Sequence, residues 1–229
     1  MRWIKAFGRE VCAHKRMTIV VVALLVLFAI VEDLFTGEAL KVDAVAYRTI
    51  VEGMRADWLT PYMEQFSSLA SPVVLFVMCL VITAFAPGKQ PGRCALLNLA
   101  LTLVLNVLLK NLIQRPRPEG FRLIAETGYS FPSGHSMVSM AFYGLMLWMI
   151  WRYEKDKVLR YVLCVLFALV IVMVGVSRIY LGVHYASDVL AGFAVSLLWL
   201  AFYTKTIVPL FMDAVHGGKE WMDAGQGKA

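Results

Sequence analysis

An all-α, polytopic membrane fold, six transmembrane helices plus one interfacial amphipathic helix, is what the sequence predicts, and three observations predict it. Of 229 residues, 60% are hydrophobic and 17% charged, and the mean hydropathy is +0.69, more apolar than a soluble core of this length requires. Apolar runs of near-bilayer length recur about six times along the chain. No stretch of soluble composition between them is long enough for a second domain, and no internal repeat or low-complexity segment breaks the pattern.

Taken in order, the basic segment "MRWIKAFGREVCAHKR" precedes the first apolar run, Met17 to Val31. This has the form of a secretory signal, but the nearby Ala-x-Ala pattern, Ala44 to Ala46, lies too far on, so an uncleaved first span is expected. In "VDAVAYRTIVEGMRADW", Val42, Val45, Ala46, Thr49, Ile50, Gly53, Met54 and Trp58 recur at helical spacing, while Asp43, Arg48, Glu52 and Arg55 take the other face. A helix lying on the membrane is the expectation, with a lid beside a site as the alternative. Thr60 and Pro61 read as an N-cap followed by Pro at the first helical position. They open a second span, Pro61 to Ala86, with a kink expected at Pro72. The remaining spans are Arg93 to Ile113, His135 to Trp151, Val158 to Tyr180 and His184 to Tyr203. The chain thus divides into a basic cytoplasmic N-terminus (1–16), a membrane domain (17–209) and a cytoplasmic tail (210–229) that is Gly-rich from Gly217.

With a cytoplasmic N-terminus, the inner segments hold 14 of the 22 Lys and Arg residues, which the positive-inside rule favours. The net charge of +6 is then mostly topology and does not imply nucleic acid. Cys12 would be cytoplasmic and Cys79, Cys94 and Cys164 would lie in or at the inner ends of spans, with neither a disulfide framework nor zinc spacing.

The outer ends of the spans carry the chemistry. Lys110, Arg117 and Arg178 gather there with His135 and His184. Singly, each has an ordinary explanation: a snorkelling lysine, a stiff "RPRP" loop, a structural histidine. His184 and Asp188 stand four apart, so on a helix opening the last span they share a face, where the carboxylate can set the imidazole tautomer and raise its basicity. Gly182 suits a sharp turn just upstream. In "FPSGHS", Ser133 can cap the fourth span and the backbone N–H groups of 133–135 form an anion site beside His135. Three cations beside that site suit a phosphoryl group, whose transition state spreads charge over equatorial oxygens.

These residues carry a resemblance. "KNLIQRPRP" reads Lys-x6-Arg-Pro through Lys110, Arg117 and Pro118; "PSGH" is Pro132 to His135; "SRIYLGVHYASD" reads Ser-Arg-x5-His-x3-Asp. In this order the signatures resemble those of the type 2 phosphatidic acid phosphatase (PAP2) family, whose motif is shared with vanadium haloperoxidases. The resemblance implies that Lys110, Arg117, Ser133, Gly134 and Arg178 hold the phosphate. His184 would attack phosphorus with Asp188 orienting it, and His135 would protonate the leaving oxygen and later activate water. Ser177 belongs to the motif with a supporting hydrogen bond as its plain reading. No metal or other cofactor is needed in this scheme.

The implied substrate is a lipid phosphate or diphosphate at the outer membrane face, with undecaprenyl pyrophosphate ahead of phosphatidylglycerophosphate and phosphatidic acid. A diphosphate would want further cations, which Arg115 and Arg122 could provide; solvated loop charges are the alternative. A transporter or channel would more often carry charge at mid-membrane, and the haloperoxidases are typically soluble. Oligomeric state is left open by the sequence.

Overall fold

The computed structural model describes residues 14–36, 40–85 and 90–212. The segment before His14 (with Cys12), the loop residue Lys89 and the tail from Asp213 lie outside the described residues. Secondary structure among the described residues is helical throughout: Lys15–Thr36 (α1), Lys41–Ala46 (α2) running into a π-helical turn at Tyr47–Glu52, Thr60–Ser68 (α3), Pro72–Phe85 (α4), Gln90–Ile113 (α5), Gly134–Tyr153 (α6), Lys157–Tyr180 (α7) and Ala186–Met212 (α8).

Four of these helices, α1, α5, α7 and α8, are long and apolar enough to cross a membrane. α3 and α4 make a fifth crossing if taken as one span bent by 51°, the break falling just before Pro72 as the sequence predicts. The six-span count therefore rests on α6. Its 20 residues reach about 30 Å, but it is not among the helices apolar enough to cross. α6 packs against α5, α7 and α8, and Met137, Ala141, Phe142 and Leu145 are wholly buried along it. A helix sheathed by protein needs no continuous apolar surface for lipid. The reverse holds for α1, where only Ala23 and Ile30 are buried.

In lipid, apolar contact between helices gains little over contact with acyl chains, so polar pairs and close approach decide which faces meet. On α5, Asn98, Thr102 and Asn106 recur at four-residue spacing and are buried. Asn98 donates to the Ala141 carbonyl of α6 at 2.8 Å and accepts from Trp199 Nε1 of α8 at 2.8 Å. Asn106 donates to the Pro132 carbonyl at 3.2 Å. The next residue on this stripe is Lys110, which the stripe turns toward the helix N-termini of α6 and α8.

Two local expectations are corrected. Thr60 is not a side-chain cap: the residue before the helix is Leu59, and the Thr60 hydroxyl instead donates to the Ala56 carbonyl at 3.2 Å and meets the Tyr180 hydroxyl at 3.0 Å. The last helix starts at Ala186, not His184. Gly182 makes a left-handed turn (φ 74°) in which a Cβ would lie 2.5 Å from the Phe121 carbonyl oxygen, and the chain is still in that turn at His184. At its other end α8 runs to Met212 through Pro209.

The amphipathic segment 41–58 packs part of its surface on the protein and leaves part of it open. Val45, Met54 and Trp58 are exposed, as a membrane-facing surface requires, while Val51 is buried against Ile179, Ala186 and Val189. Of its charged face, Arg48 and Glu52 are exposed, while Asp43 and Arg55 turn toward the protein: Arg55 donates Nε and Nη2 to the Tyr180 carbonyl at 2.9 and 2.7 Å.

Candidate active site

The C-termini of α5 and α7 and the N-termini of α6 and α8 meet at one end, α5 joined to α6 by the loop 114–133 and α7 to α8 by residues 181–185. All the residues singled out from the sequence stand there. Lys110 and Arg178 occupy the last turns of α5 and α7, where basic groups complement the carboxyl ends of the helix dipoles. Asp188 occupies the first turn of α8.

Arg117 is 8% exposed and spends its whole guanidinium on the site. Nε donates to the Gly128 carbonyl at 3.0 Å, Nη2 to the Thr127 carbonyl at 3.0 Å and Nη1 to the Val183 carbonyl at 2.9 Å, with Nη1 also 3.2 Å from His184 Nε2. Arg178 is 2% exposed; it donates Nη1 to Ser67 Oγ at 2.6 Å and Nη2 to Glu126, and its buried Nε has no hydrogen-bond partner. A charged donor buried without a partner is costly, and an anion placed beside it would remove that cost. Lys110 donates to the Tyr129 carbonyl and lies within electrostatic range of Arg117, Arg178, Glu126 and Asp188.

His184 is 3% exposed, with Nδ1 facing Asp188 Oδ2 at 3.4 Å and Ser130 Oγ at 3.4 Å. Burial pushes its pKa down to about 4 despite the opposing pull of Asp188, and the Arg117 and Arg178 charges add to the fall. The ring is therefore neutral at pH 7. With its Nδ1 proton directed at Asp188, Nε2 presents a lone pair, as a nucleophile requires. Asp188 is wholly buried; Oδ2 also accepts from Ser130 Oγ and from Tyr185 N–H at 2.9 Å, and Oδ1 accepts from Arg115 Nη1 at 2.6 Å. Reaching back from the third residue of α8 to the Tyr185 N–H, it closes half of a capping box.

Ser133 caps α6 as expected, accepting from Ser136 N–H at 3.5 Å and from Ser136 Oγ at 2.9 Å. Gly134 opens the helix, and a Cβ there would lie 3.0 Å from Asn106 Oδ1, so a side chain would crowd the Asn106 amide. His135 follows in the first turn, has no hydrogen-bond partner among the described residues and lies within electrostatic range of Arg178, Glu126, His184 and Arg117. Ser177 makes an ordinary intrahelical bond to the Val174 carbonyl at 2.7 Å.

Five participants were not identified from the sequence in these roles: Ser67, Glu126, Ser130, Arg115 and Asp43. Arg115 was visible as a second Arg-Pro pair, but as a candidate for extra phosphate binding or as a loop charge. It is neither exposed nor free, being ion-paired with Asp43 at 2.9 Å and Asp188 at 2.6 Å. Arg122 is exposed and donates Nε to the Pro118 carbonyl at 2.5 Å. A cavity of about 480 Å³ opens beside His184, with Asp43, Tyr47, Phe121 and Tyr185 in its wall. No group of three or more His, Cys, Asp or Glu suited to a metal ion occurs among the described residues.

Comparison with known proteins places this geometry. Residues 91–211, which contain every motif residue from Lys110 to Asp188, match the PAP2 superfamily. Phosphatidylglycerophosphatase B of Bacillus subtilis (strain 168) is 34% identical over 159 residues, covering 66% of this chain and 76% of that protein. Dolichyldiphosphatase 1 of Homo sapiens is 33% identical over 167 residues, covering 67% and 69%. The crystal structure of a transmembrane PAP2 type phosphatidylglycerolphosphate phosphatase from Bacillus subtilis superposes with a TM-score of 0.68 at 25% identity, covering 85% of this chain and 98% of that one.

Proposed function

The chain belongs to the PAP2 superfamily of membrane lipid phosphatases, and from that premise we propose that it removes the terminal phosphate of a lipid phosphate through a phosphohistidine on His184. The observation that carries this reading is the pair of buried guanidinium groups, Arg117 beside His184 Nε2 and Arg178 with an unpartnered Nε, at the end where two helix N-termini converge. His184 Nε2 attacks phosphorus in line and the bond to the leaving oxygen breaks. His135, protonated once the anionic phosphoryl group is seated beside it, gives that oxygen its proton. The neutral His135 then takes a proton from water as the water oxygen attacks phosphorus, the P–N bond breaks, and inorganic phosphate leaves with His184 restored. While the Ser133 N–H is committed to the Asp188 carbonyl at 3.0 Å and supports the site from behind, Lys110, Arg117, Arg178 and the Gly134 N–H at the start of α6 hold the equatorial oxygens. Their charge does the work a divalent ion would otherwise do, so turnover is expected to survive EDTA.

For the substrate, the engagement of Arg115 by two carboxylates leaves cations for one phosphoryl group, which favours a glycerophospholipid monophosphate such as phosphatidylglycerophosphate. The second reading, undecaprenyl pyrophosphate, draws on the similarity to dolichyldiphosphatase 1 and would use the exposed Arg122 for the inner phosphate. Both place the site at the outer face of the plasma membrane, with six crossings and cytoplasmic termini, because the loop 114–133 and the Gly182 turn follow odd numbers of spans. A transporter or channel is disfavoured, since the charges gather at one end of the helices. Phosphate release from purified protein on a panel of lipid mono- and diphosphates, with and without EDTA, tests this. An acid-labile, base-stable phosphoenzyme in the wild type and its absence in His184→Ala are expected; release from no lipid phosphate would overturn the reading.

A further inference from the structure

The two Arg-Pro pairs sit two residues apart after α5 ends at Ile113, and proline fixes its own φ while holding the residue before it in extended backbone. Extended residues i and i+2 leave the chain on the same side. Arg115 and Arg117 accordingly both reach the segment 183–188, but they take different partners. Arg117 goes to the Val183 carbonyl and His184; Arg115 goes to Ser187 and Asp188.

Asp188 needs such a partner. It is a wholly buried carboxylate whose neighbour His184 is neutral, and Arg115 is its direct cationic contact among the described residues. Arg115 is held in turn. Nη2 pairs with Asp43 Oδ2 at 2.9 Å, and the guanidinium stacks 4.1 Å above the Tyr185 ring. Asp43, from the segment ahead of α3, then caps α8 from outside: its Oδ1 accepts the Ser187 N–H at 2.7 Å and its Oδ2 the Ser187 hydroxyl at 2.8 Å. Arg115 Nη1 also donates to that hydroxyl at 2.7 Å.

We propose that Arg115, braced by Asp43, is a positioning residue that holds Asp188 at the angle from which its other oxygen orients His184, and that it takes no part in binding phosphate. Of the two arginines, then, the second grips substrate and the first sets the nucleophile. The segment 41–52 enters the catalytic machinery through Asp43. This inference rests on the phosphohistidine reading above.

The test uses full-length protein in detergent, with Arg115→Ala, Arg115→Lys and Asp43→Asn beside His184→Ala. Arg115→Ala should lower kcat by about 10- to 100-fold, the range seen when an outer partner that orients a reactive ring is removed. KM for lipid mono- and diphosphates, and the Ki of orthovanadate, should stay within about threefold, since no phosphate contact is lost. Arg115→Lys should recover part of kcat, keeping the charge and losing the fork. Asp43→Asn, which leaves the Arg115 to Asp188 pair in place, should show a smaller fall in kcat with the same constancy of KM. A KM that rises tenfold or more for diphosphates alone would make Arg115 a phosphate ligand and overturn the inference. So would a fall in kcat matched by loss of folded protein and unrelieved by lysine. Inactive His184→Ala with all three other variants at wild-type rate sinks this inference and leaves the phosphohistidine reading intact; active His184→Ala sinks both.

Discussion

Replacing Glu126 with glutamine tests whether a carboxylate of the chain itself occupies the phosphate seat between turnovers. Glu126 bonds Arg178 Nη2 and stands 3.7 Å from Arg117 Nη2, so its two oxygens address the two guanidinium groups assigned to phosphate. Burial alone would raise its pKa, but the Arg178 charge and hydrogen bond, with Arg117, outweigh that and hold it below the usual carboxylate range. It is therefore an anion at pH 7, and a substrate phosphate must displace it. Exposed ion pairs contribute about 1 kcal/mol or less. This one joins a side chain 26% exposed to a guanidinium 2% exposed, and hydrogen bonds to charged groups of that kind are worth about 1.5–3 kcal/mol. Discounted for partial exposure, about 1–2 kcal/mol is the handicap on the incoming anion, or about 5- to 30-fold in affinity. Glu126→Gln should lower the Ki of orthovanadate and of inorganic phosphate by that factor and lower KM in the same direction. Steady-state inhibition in detergent measures it, alongside thermal melting with and without phosphate. The variant should melt lower than wild type without phosphate, because two buried cations lose their counter-ion, and should regain the difference when phosphate is added. An unchanged or higher Ki would refute displacement and make Glu126 a supporting residue of the site.

The proton donor is tested through the leaving group. His135→Ala should lose most activity on lipid substrates but much less on p-nitrophenyl phosphate, whose leaving group needs no proton, and equal losses would count against general-acid catalysis. For His184, the depressed pKa predicts that histidine NMR of substrate-free protein shows no titration of this ring between pH 8 and about 5.5, with a midpoint near 4; a midpoint near 6.5 would contradict it. The sign of the linked stability follows. The unfolded ring binds a proton at about 6.5 and the folded ring only near 4, so folding stability from this group is complete above that window and declines as pH falls through it. Sidedness is tested with single cysteines at Glu119 and Lys155, both exposed. An impermeant thiol reagent should label the first in intact cells and the second only after permeabilisation, and the reverse pattern would invert the topology.

Much of the protein was legible because it is written in local patterns. Apolar runs give helices whatever their neighbours are, since a backbone in lipid must satisfy its own hydrogen bonds. Ser133 at the start of α6, Gly182 in its turn and the break before Pro72 are set within a few residues, and each was placed correctly. The motif residues were legible as a set because their side-chain chemistry has few other uses at a membrane face. The Lys110 stripe could also have been read, from Asn98, Thr102 and Asn106 at four-residue intervals inside an apolar run. α6 lies between the two cases. Its length was apparent, but its burial shows only once three neighbours surround it.

What tertiary structure decided was the employment of charges that local pattern leaves ambiguous. The sequence separates Asp43 from Arg115 by 72 positions and from Ser187 by 144, and Ser67 from Arg178 by 111. At such distances no periodicity links two side chains; only the packing of helices whose ends meet at one face brings them within 3 Å. The same packing excludes water there, which is why a second arginine reads from the sequence as a spare phosphate ligand or a loop charge and turns out to be committed to a buried carboxylate. A desolvated Asp188 takes the nearest cation, and the fold determines which one that is.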